Sequence, residues 1–259
     1  MNFPDILKKT NQQTTTLLID ADLFLYQACA AAEKEYRWEQ DVYTKLCDLS
    51  EAKDIFRDKM KFVTDTLQSD KMILCFSDKL NSRKLVSETY KANRKDISKP
   101  TGFKAFIEWA KGTHKYYWKP SLEADDCMGI MQTMPGSNTI IVSDDKDMKT
   151  IPGRLFRPMA GGMLEISTDE ADYNFFTQCL TGDPTDGFPG LPGFGPKKAE
   201  TLFKAHRASW STVENAYIKA GQTKDDALTQ ARLARILRWS EWDAKANTYK
   251  LWEPEYVAA

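Results

Sequence analysis

The chain has 259 residues, with 36 Lys and Arg against 37 Asp and Glu, and its hydrophobic content of 42% suffices for a substantial buried core. Its polar N-terminus and the lack of an apolar run of roughly 20 residues make us expect neither a signal peptide nor a membrane span, and we expect a cytoplasmic monomer. Five scattered cysteines and only two histidines, His114 and His206, argue against disulfides, zinc sites and histidine-dependent catalytic triads.

Three short apolar runs predict buried, parallel β-strands, because each is apolar at consecutive positions, as strands covered on both faces are. The runs cover residues 17–19, 72–76 and 139–142. Helical patterning alternates with them at residues 23–32, 52–67 and 122–134. Ser121 is the expected N-cap of the third helix. The alternation predicts an α/β fold with a mostly parallel central sheet flanked by helices.

The second half of the chain contains a predicted hairpin and then a helical region. The hairpin strands are expected at residues 154–158 and 163–167, joined by a turn at Ala160-Gly161-Gly162. Helices are expected at residues 170–180, 197–206, 211–220 and 226–238. We expect residues 1–180 to form the core domain and residues 181–259 to form a smaller helical region.

Acidic residues follow the predicted strands at the points where the strands end. Asp20 follows the first strand, Asp78 the second, and Asp144 and Asp145 the third. Parallel pairing would gather them at one edge of the sheet, where open α/β sheets bind their ligands. Further acids lie close to this set in the predicted topology: Glu123, Asp125, Asp126, Asp147, Asp183 and Asp186.

Crowded carboxylates raise one another's pKa unless cations neutralise them. A set of oxygen ligands without His or Cys favours Mg²⁺ or Mn²⁺ over zinc. Two such ions about 4 Å apart can catalyse phosphodiester hydrolysis. The acids therefore predict a metal-dependent site that acts on phosphate esters.

Each acid taken alone also has a purely structural interpretation. A loop cap would explain Asp20, Asp78 or Asp145 individually, and a helix cap would explain Asp22. Residues 123–126 fall at the start of a predicted helix, where the helix dipole favours acids. The weakest candidates, each beside a better placed acid, are Asp126 and Asp144.

The stretch from Lys79 to Lys119 contains eleven Lys and Arg against three acids. Its cations are interleaved with aromatic residues, a pattern that suits a single-stranded or frayed nucleic acid. Phe103 and Phe106 fall at helical spacing and are expected in the core. The candidates for substrate contact are Arg83, Lys84, Tyr90, Lys91, Arg94 and Lys95, with Tyr90, Lys91 and Arg94 the strongest.

A glycine-rich loop at residues 190–195 precedes a helix that begins with Lys197 and Lys198. Gly190, Gly193 and Gly195 would let the backbone approach a phosphate, and the two lysines add positive charge. This pattern is typical of a helix-hairpin-helix loop that grips the DNA backbone. A plain surface turn is the alternative.

These residues together resemble the flap-endonuclease family of structure-specific 5′ nucleases, and within it the 5′-to-3′ exonucleases of T-odd podophages. The resemblance covers nearly the whole chain, with motifs in the family's order. They are LID at 18–20, FSD at 76–78, YKANR at 90–94, LEADD at 122–126, SDDKD at 143–147 and GDPTD at 182–186. Residues 230–238 also resemble the C-terminus of the phage subgroup.

The resemblance implies a role for each motif. Asp20, Asp78, Glu123 and Asp125 would hold one metal ion, and Asp145, Asp147 and Asp186 the second, with Asp126 and Asp183 in support. Lys91 and Arg94 would face the scissile phosphate, and Tyr90 would stack on the terminal base. Residues 79–119 would form a helical arch, the loop at 190–198 would bind DNA, and its residues 190–195 would bind a potassium ion. Pro192 and Pro196 remove amide donors from that loop, which departs from the family pattern.

The implied activity is 5′-to-3′ exonucleolytic hydrolysis of duplex DNA ends with two Mg²⁺ or Mn²⁺ ions, extending to 5′ flaps and RNA/DNA hybrids. Replication partners are not indicated by the sequence. One alternative is a PIN-type ribonuclease acting on single-stranded RNA, which the glycine-rich loop disfavours. The other is a non-catalytic DNA-end-binding protein, which would leave the acids unexplained.

Overall fold

A computed structural model describes residues 15–94 and 98–254. The strands in these ranges are β1 (Thr16–Asp20), β2 (Glu33–Glu39), β3 (Val42–Cys47), β4 (Met72–Cys75), β5 (Tyr116–Tyr117), β6 (Thr139–Val142), β7 (Gly153–Arg157), β8 (Gly162–Ile166), β9 (Trp242–Asp243) and β10 (Thr248–Tyr249). The helices are α1 (Ala21–Ala31), α2 (Leu49–Leu67), α3 (Ser82–Val86), α4 (Phe103–Thr113), α5 (Ala124–Thr133), α6 (Thr168–Thr181), α7 (Pro196–Ala205), α8 (Trp210–Lys219) and α9 (Lys224–Ala234).

The central sheet has the strand order β5-β4-β1-β6-β7-β8 and is parallel except for the β7–β8 hairpin. Alternate residues of β1 point to opposite faces, so Leu17 and Ile19 pack with Phe56 on one side while Leu18 packs with Met128 on the other. Both faces are covered by helices, which explains why the strand sequences are apolar at consecutive positions. The predicted α/β class and the three predicted parallel strands are confirmed.

A third core lies beyond the sheet and joins the C-terminal helices to α6 and to Tyr90. Its large buried side chains include Phe175, Trp210 and Tyr217. The predicted boundary near residue 180 stays a prediction, since α6 packs with the elements on both sides of it. Within the described residues, the helices are too short or too polar to cross a bilayer.

Three local features differ from the predictions. The β2–β3 hairpin was not predicted, because its side chains are largely exposed and its apolar residues, such as Trp38 and Leu46, form no continuous apolar run. Helix α5 begins at Ala124 with Glu123 as its N-cap, because Asp126 accepts the Glu123 N–H, and Ser121 instead sits in a left-handed turn with φ 65°. Helix α9 ends at Ala234, and the chain continues in extended form from Arg235.

The basic segment, residues 79–119, contains two helices and a short 3₁₀ turn. Helix α3 and a short 3₁₀ turn at Ala92–Arg94 form its first half, and α4 forms much of the second. Phe103 and Phe106 of α4 are buried in the core, as predicted from their spacing. Lys95, one of the predicted DNA contacts, lies outside the described residues.

Candidate active site

The carboxyl ends of β1 and β6 meet at one edge of the sheet and bring Asp20 next to Ser143. Asp20 ends β1, is 5% exposed, and accepts a hydrogen bond from the Ser143 hydroxyl at 2.7 Å. Burial raises the pKa of Asp20 to about 7, and the charges of Asp22 and Asp145 add to the rise. Ser143 was not among the predicted site residues, although it precedes two of them in the sequence.

Asp125 approaches the same point from the first turn of α5. Burial raises the pKa of Asp125 well above its ordinary value, and the neighbouring charges of Asp20 and Asp145 raise it further. The three carboxyls come from three elements and lie close enough for the charge of Asp145 to disfavour the ionisation of Asp20 and Asp125. Such a group is stable only if protonated or neutralised by cations.

Asp147 lies in a 3₁₀ turn at Lys146–Thr150 that follows β6, and Asp145 immediately precedes this turn. Asp145 caps the turn by accepting the Asp147 N–H at 2.9 Å. Burial, assisted by the charges of Asp145 and Asp183, raises the pKa of Asp147 to about 7. Gln178 of α6 donates to Asp147 Oδ1 at 2.5 Å and fixes its orientation. No motif in the sequence pointed to Gln178, because the contact spans 31 residues and depends on helix packing.

A crevice at this edge of the sheet is lined by Asp125, Asp147, Gln178 and Asp186, and cationic side chains of the basic segment bind acids at this crevice. Lys91 Nζ lies 2.7 Å from Glu123 Oε1 and 3.5 Å from Asp186 Oδ2. Arg94 Nη2 lies 2.5 Å from Asp186 Oδ1. Burial alone would raise the pKa of Glu123, but the charges of Arg83 and Lys91 outweigh it and lower that pKa. The structure therefore brings together the predicted cations and two of the predicted metal ligands.

Tyr90 occupies a different place from the predicted one. Its ring is 3% exposed and packs in the C-terminal core, and its hydroxyl contacts Glu123 Oε2 at 3.0 Å and Asp186 Oδ2 at 2.9 Å. Burial raises the pKa of Tyr90, so the hydroxyl stays a donor. The predicted stacking of Tyr90 on a base is corrected, because the ring has no free face, and Tyr90 instead orients two carboxylates.

Arg83 and Asp126 are also placed inside the protein. Arg83 is 4% exposed and forms a bidentate pair with Asp126, which is fully buried. The predicted contact of Arg83 with DNA is corrected, since its guanidinium is enclosed by protein groups. Asp126 faces Arg83 and the N–H groups of Glu123 and Leu237, which places it behind the crevice wall instead of among the metal ligands.

Two further predicted ligands make local contacts. The oxygens of Asp78 accept the backbone N–H groups of Lys79 and Ser121, as a loop cap would. Burial would raise the pKa of Asp183, but hydrogen bonds from Lys146 and from the Thr185 N–H lower it. The charge of Asp183 still acts on Asp147, whereas the contacts of Asp78 are those of its own loop.

The glycine-rich loop has one packed end and one open end. Gly190 is buried with φ 65°, and a Cβ there would lie 2.3 Å from Gly182 N, so this glycine serves close backbone packing. Its N–H donates to Gln230 and is not available to a phosphate. A Cβ at Gly193 or Gly195 would meet open space. The lysines at the start of α7 are exposed, and Lys198 Nζ donates to the Gly193 carbonyl at 2.7 Å.

Comparison with known proteins places the chain in a family. Residues 15–158 match the model described as 5′-3′ exonuclease, N-terminal resolvase-like domain. The chain is 32% identical to the exonuclease of Escherichia phage T7, over 92% of this chain and 93% of that protein. It belongs to the 5′-3′ exonuclease family. The chain is also 32% identical to the exodeoxyribonuclease of Enterobacteria phage T3, with 92% of each chain covered.

Two solved structures of other proteins have the same fold as this exonuclease. The T5 D15 protein co-crystallised with metal ions has a TM-score of 0.64 at 13% identity, covering 85% of this chain and 89% of that one. Flap endonuclease-1 from Methanococcus jannaschii has a TM-score of 0.53 at 15% identity, covering 92% and 81%. The predicted family, fold and nuclease class are confirmed.

The crevice of this exonuclease fits divalent cations by its chemistry. In residues 15–94 and 98–254 no three acidic, His or Cys side chains already surround one point as ligands would. The Lys91 ammonium lies between Glu123 and Asp186 and stands in for a cation there. A bound cation would neutralise carboxyls such as that of Asp125, whose pKa is raised, and carboxylate oxygens are ligands that Mg²⁺ and Mn²⁺ prefer.

Proposed function

We propose that this exonuclease is a metal-dependent 5′-to-3′ exodeoxyribonuclease that releases 5′ nucleotides from duplex DNA ends and also accepts 5′ flaps and RNA/DNA hybrids. The supporting observation is the convergence of buried carboxyls with Lys91 and Arg94 in one crevice. Acids alone would suit many metal-dependent hydrolases. The two cations add charged donors that can pair with phosphate oxygens.

The proposed ligands of two Mg²⁺ or Mn²⁺ ions come from the crevice wall. They are Asp20, Asp78, Glu123 and Asp125 for one ion and Asp145, Asp147 and Asp186 for the other. Asp183 supports them through Lys146, and Asp126 through Arg83. When bound, the ions would activate the attacking water and stabilise the leaving oxygen.

The side chains of the chain contribute binding, orientation and proton release. Lys91 and Arg94 would exchange their carboxylate partners for the oxygens of the scissile phosphate. The carboxyls of Asp20 and Asp147, whose pKa burial raises to about 7, would lose their protons as cations bind. Gln178 and Ser143 would keep Asp147 and Asp20 in place during this exchange.

The duplex beyond the cleaved end would lie on exposed lysine side chains outside the crevice. Lys84, Lys197 and Lys198 are exposed, and the open end of the glycine-rich loop is accessible to a backbone phosphate. A potassium ion at the loop 190–195 is part of the proposal. Because Lys198 donates to the Gly193 carbonyl, potassium binding would require that contact to open.

Turnover of three 5′-labelled substrates tests the proposal: a duplex, a 5′ flap and single-stranded RNA, each with Mg²⁺ or with chelator. We expect metal-dependent cleavage of the two DNA substrates. Preferential cleavage of the RNA would favour the PIN-type ribonuclease. Binding of DNA without cleavage under any metal condition would favour a non-catalytic DNA-end-binding protein.

A further inference from the structure

Arg83 uses every N–H group of its guanidinium inside the protein. Nη1 donates to Glu123 Oε2 at 2.7 Å and to Asp126 Oδ2 at 2.9 Å, and Nη2 donates to Asp126 Oδ1 at 2.8 Å. The remaining donors bind two carbonyls of the C-terminal region, Leu233 O at 3.1 Å and Arg235 O at 2.5 Å. The side chain comes from α3 in the basic segment, so a single residue joins three parts of the chain.

The two oxygens of Glu123 are held differently as a result. Oε2 is fixed by Arg83 and by the Tyr90 hydroxyl at 3.0 Å. Oε1 points to Lys91 Nζ, on the crevice side of the carboxylate. Arg83 and Tyr90 thus hold one oxygen of the Glu123 carboxylate and leave the other facing the Lys91 ammonium.

The chain beyond α9 is tied to the same group. Asp126, paired with Arg83, also accepts the Leu237 N–H at 3.1 Å. Leu233, Ala234 and Ile236 line the crevice together with Asp125 and Asp186. A Cβ at Gly129 of α5 would lie 2.4 Å from Leu237 O, so the extended chain packs directly against the helix that carries Asp125.

We propose that Arg83 is a positioning residue: it holds Glu123 with Oε1 facing the metal site and makes the C-terminal segment 233–237 a structural part of that site. The inference rests on the proposed function, because it assigns Glu123 to a bound metal. It differs from the sequence prediction in that Arg83 acts through Glu123 and does not touch the DNA.

The substitution Arg83→Lys tests the role, because lysine keeps the charge but cannot form the bidentate pair or reach the two carbonyls. Substitutions of residues that orient metal ligands typically weaken metal affinity by about 10-fold to 100-fold. We expect a shift of that size in the dissociation constant for Mn²⁺, measured by electron paramagnetic resonance on the protein alone. We expect saturating metal to restore most of the cleavage rate, and the affinity for duplex DNA in chelator to stay within about twofold.

Arg238→Lys is the matched control. Arg238 is buried to a similar degree, at 8% exposure, lies in the same C-terminal region, and binds the Thr150 carbonyl at 2.9 Å and Asp172 at 2.7 Å. Among the described residues, the hydrogen bonds and ion pairs of Arg238 reach no crevice carboxylate, so its substitution should leave the Mn²⁺ affinity unchanged. An equal loss of Mn²⁺ affinity in both variants would overturn the inference, because the loss would then reflect a general disruption of packing in the C-terminal region.

Circular dichroism shows whether the variants fold. Should Arg83→Lys not fold, Asp126→Asn removes the charge that holds Arg83 with little change in volume, and Mn²⁺ affinity should again fall. Wild-type Mn²⁺ affinity in a folded variant would overturn the inference while leaving the proposed function intact. A wild-type protein that neither binds Mn²⁺ nor cleaves DNA would instead refute the proposed function.

Discussion

Replacing Lys91 with alanine should separate metal binding from catalysis. The Lys91 ammonium lies 2.7 Å from Glu123 and 3.5 Å from Asp186, with 18% of its side chain exposed. At an effective dielectric of about 20, each contact is worth roughly 5 kcal/mol before desolvation. The net cost of removing one partner of a buried pair is about 3 to 5 kcal/mol.

That cost falls on the metal-free state, where the ammonium neutralises the carboxylates that a metal ion would bind. In Lys91→Ala, a metal ion no longer has to displace the ammonium from these carboxylates. About 1.4 kcal/mol of binding free energy corresponds to a tenfold change in affinity, which is less than the cost given above. We therefore expect Mn²⁺ to bind the variant at least about tenfold more tightly. Cleavage at saturating metal should fall by about 100-fold or more, as expected when a donor to the transition state is removed.

Calorimetric titration of Mn²⁺ into protein without DNA measures the affinity, and single-turnover cleavage of labelled duplex measures the chemical step. Lys204→Ala, which removes an exposed lysine paired with Glu200, controls for the loss of one positive charge. Weaker Mn²⁺ binding in Lys91→Ala would refute the view that the ammonium stands in for a cation. Equal losses of cleavage and DNA binding would show that Lys91 only positions DNA.

Three further outcomes are expected. Asp145→Ala should abolish metal-dependent nucleotide release and leave duplex binding in chelator intact, as gel shift and cleavage assays would show; retained activity would remove Asp145 from the ligand set. The pKa of about 7 for Asp20 and Asp147 in the folded state exceeds the ordinary value of 3.8, so the folded state binds more protons than the unfolded state between these values. The thermal midpoint in chelator should therefore fall as the pH rises from about 4 to about 7. A midpoint that does not change with pH would contradict these pKa shifts. Gly190→Ala should lower the free energy of unfolding by about 3 kcal/mol in denaturant titration, because its Cβ would lie 2.3 Å from Gly182 N, whereas Gly193→Ala meets open space and should cost less.

The parts of the fold that follow from short-range pattern could be predicted. The strand that ends at Asp20 is apolar at its three central residues, 17–19, because both of its faces are covered, and that pattern can be recognised without knowing the packing partners. The carboxylates follow the strands, so topology alone gathers them. The hairpin at residues 33–47 could not be predicted in this way, since its side chains, including Trp38 and Leu46, are largely exposed and it contains no continuous apolar run.

The direction and burial of individual site residues depend on long-range packing. Arg83 counts as a surface cation in a sequence, and only its pairing with Asp126, 43 residues away, explains its position in the interior. Tyr90 lies in a basic motif, but its ring packs in the core of the C-terminal helices. Gln178 supports Asp147 through a contact that no local pattern announces.

Cleavage of a duplex labelled at the 5′ end of one strand, with the same strand labelled at its 3′ end in a parallel reaction, tests the proposed reaction. With Mg²⁺, the 5′ label should appear first in mononucleotides while the 3′ label stays in progressively shorter strands, and chelator or Asp145→Ala should stop both changes. Early release of the 3′ label, or release of the 5′ label in chelator, would contradict a metal-dependent nuclease that enters from the 5′ end.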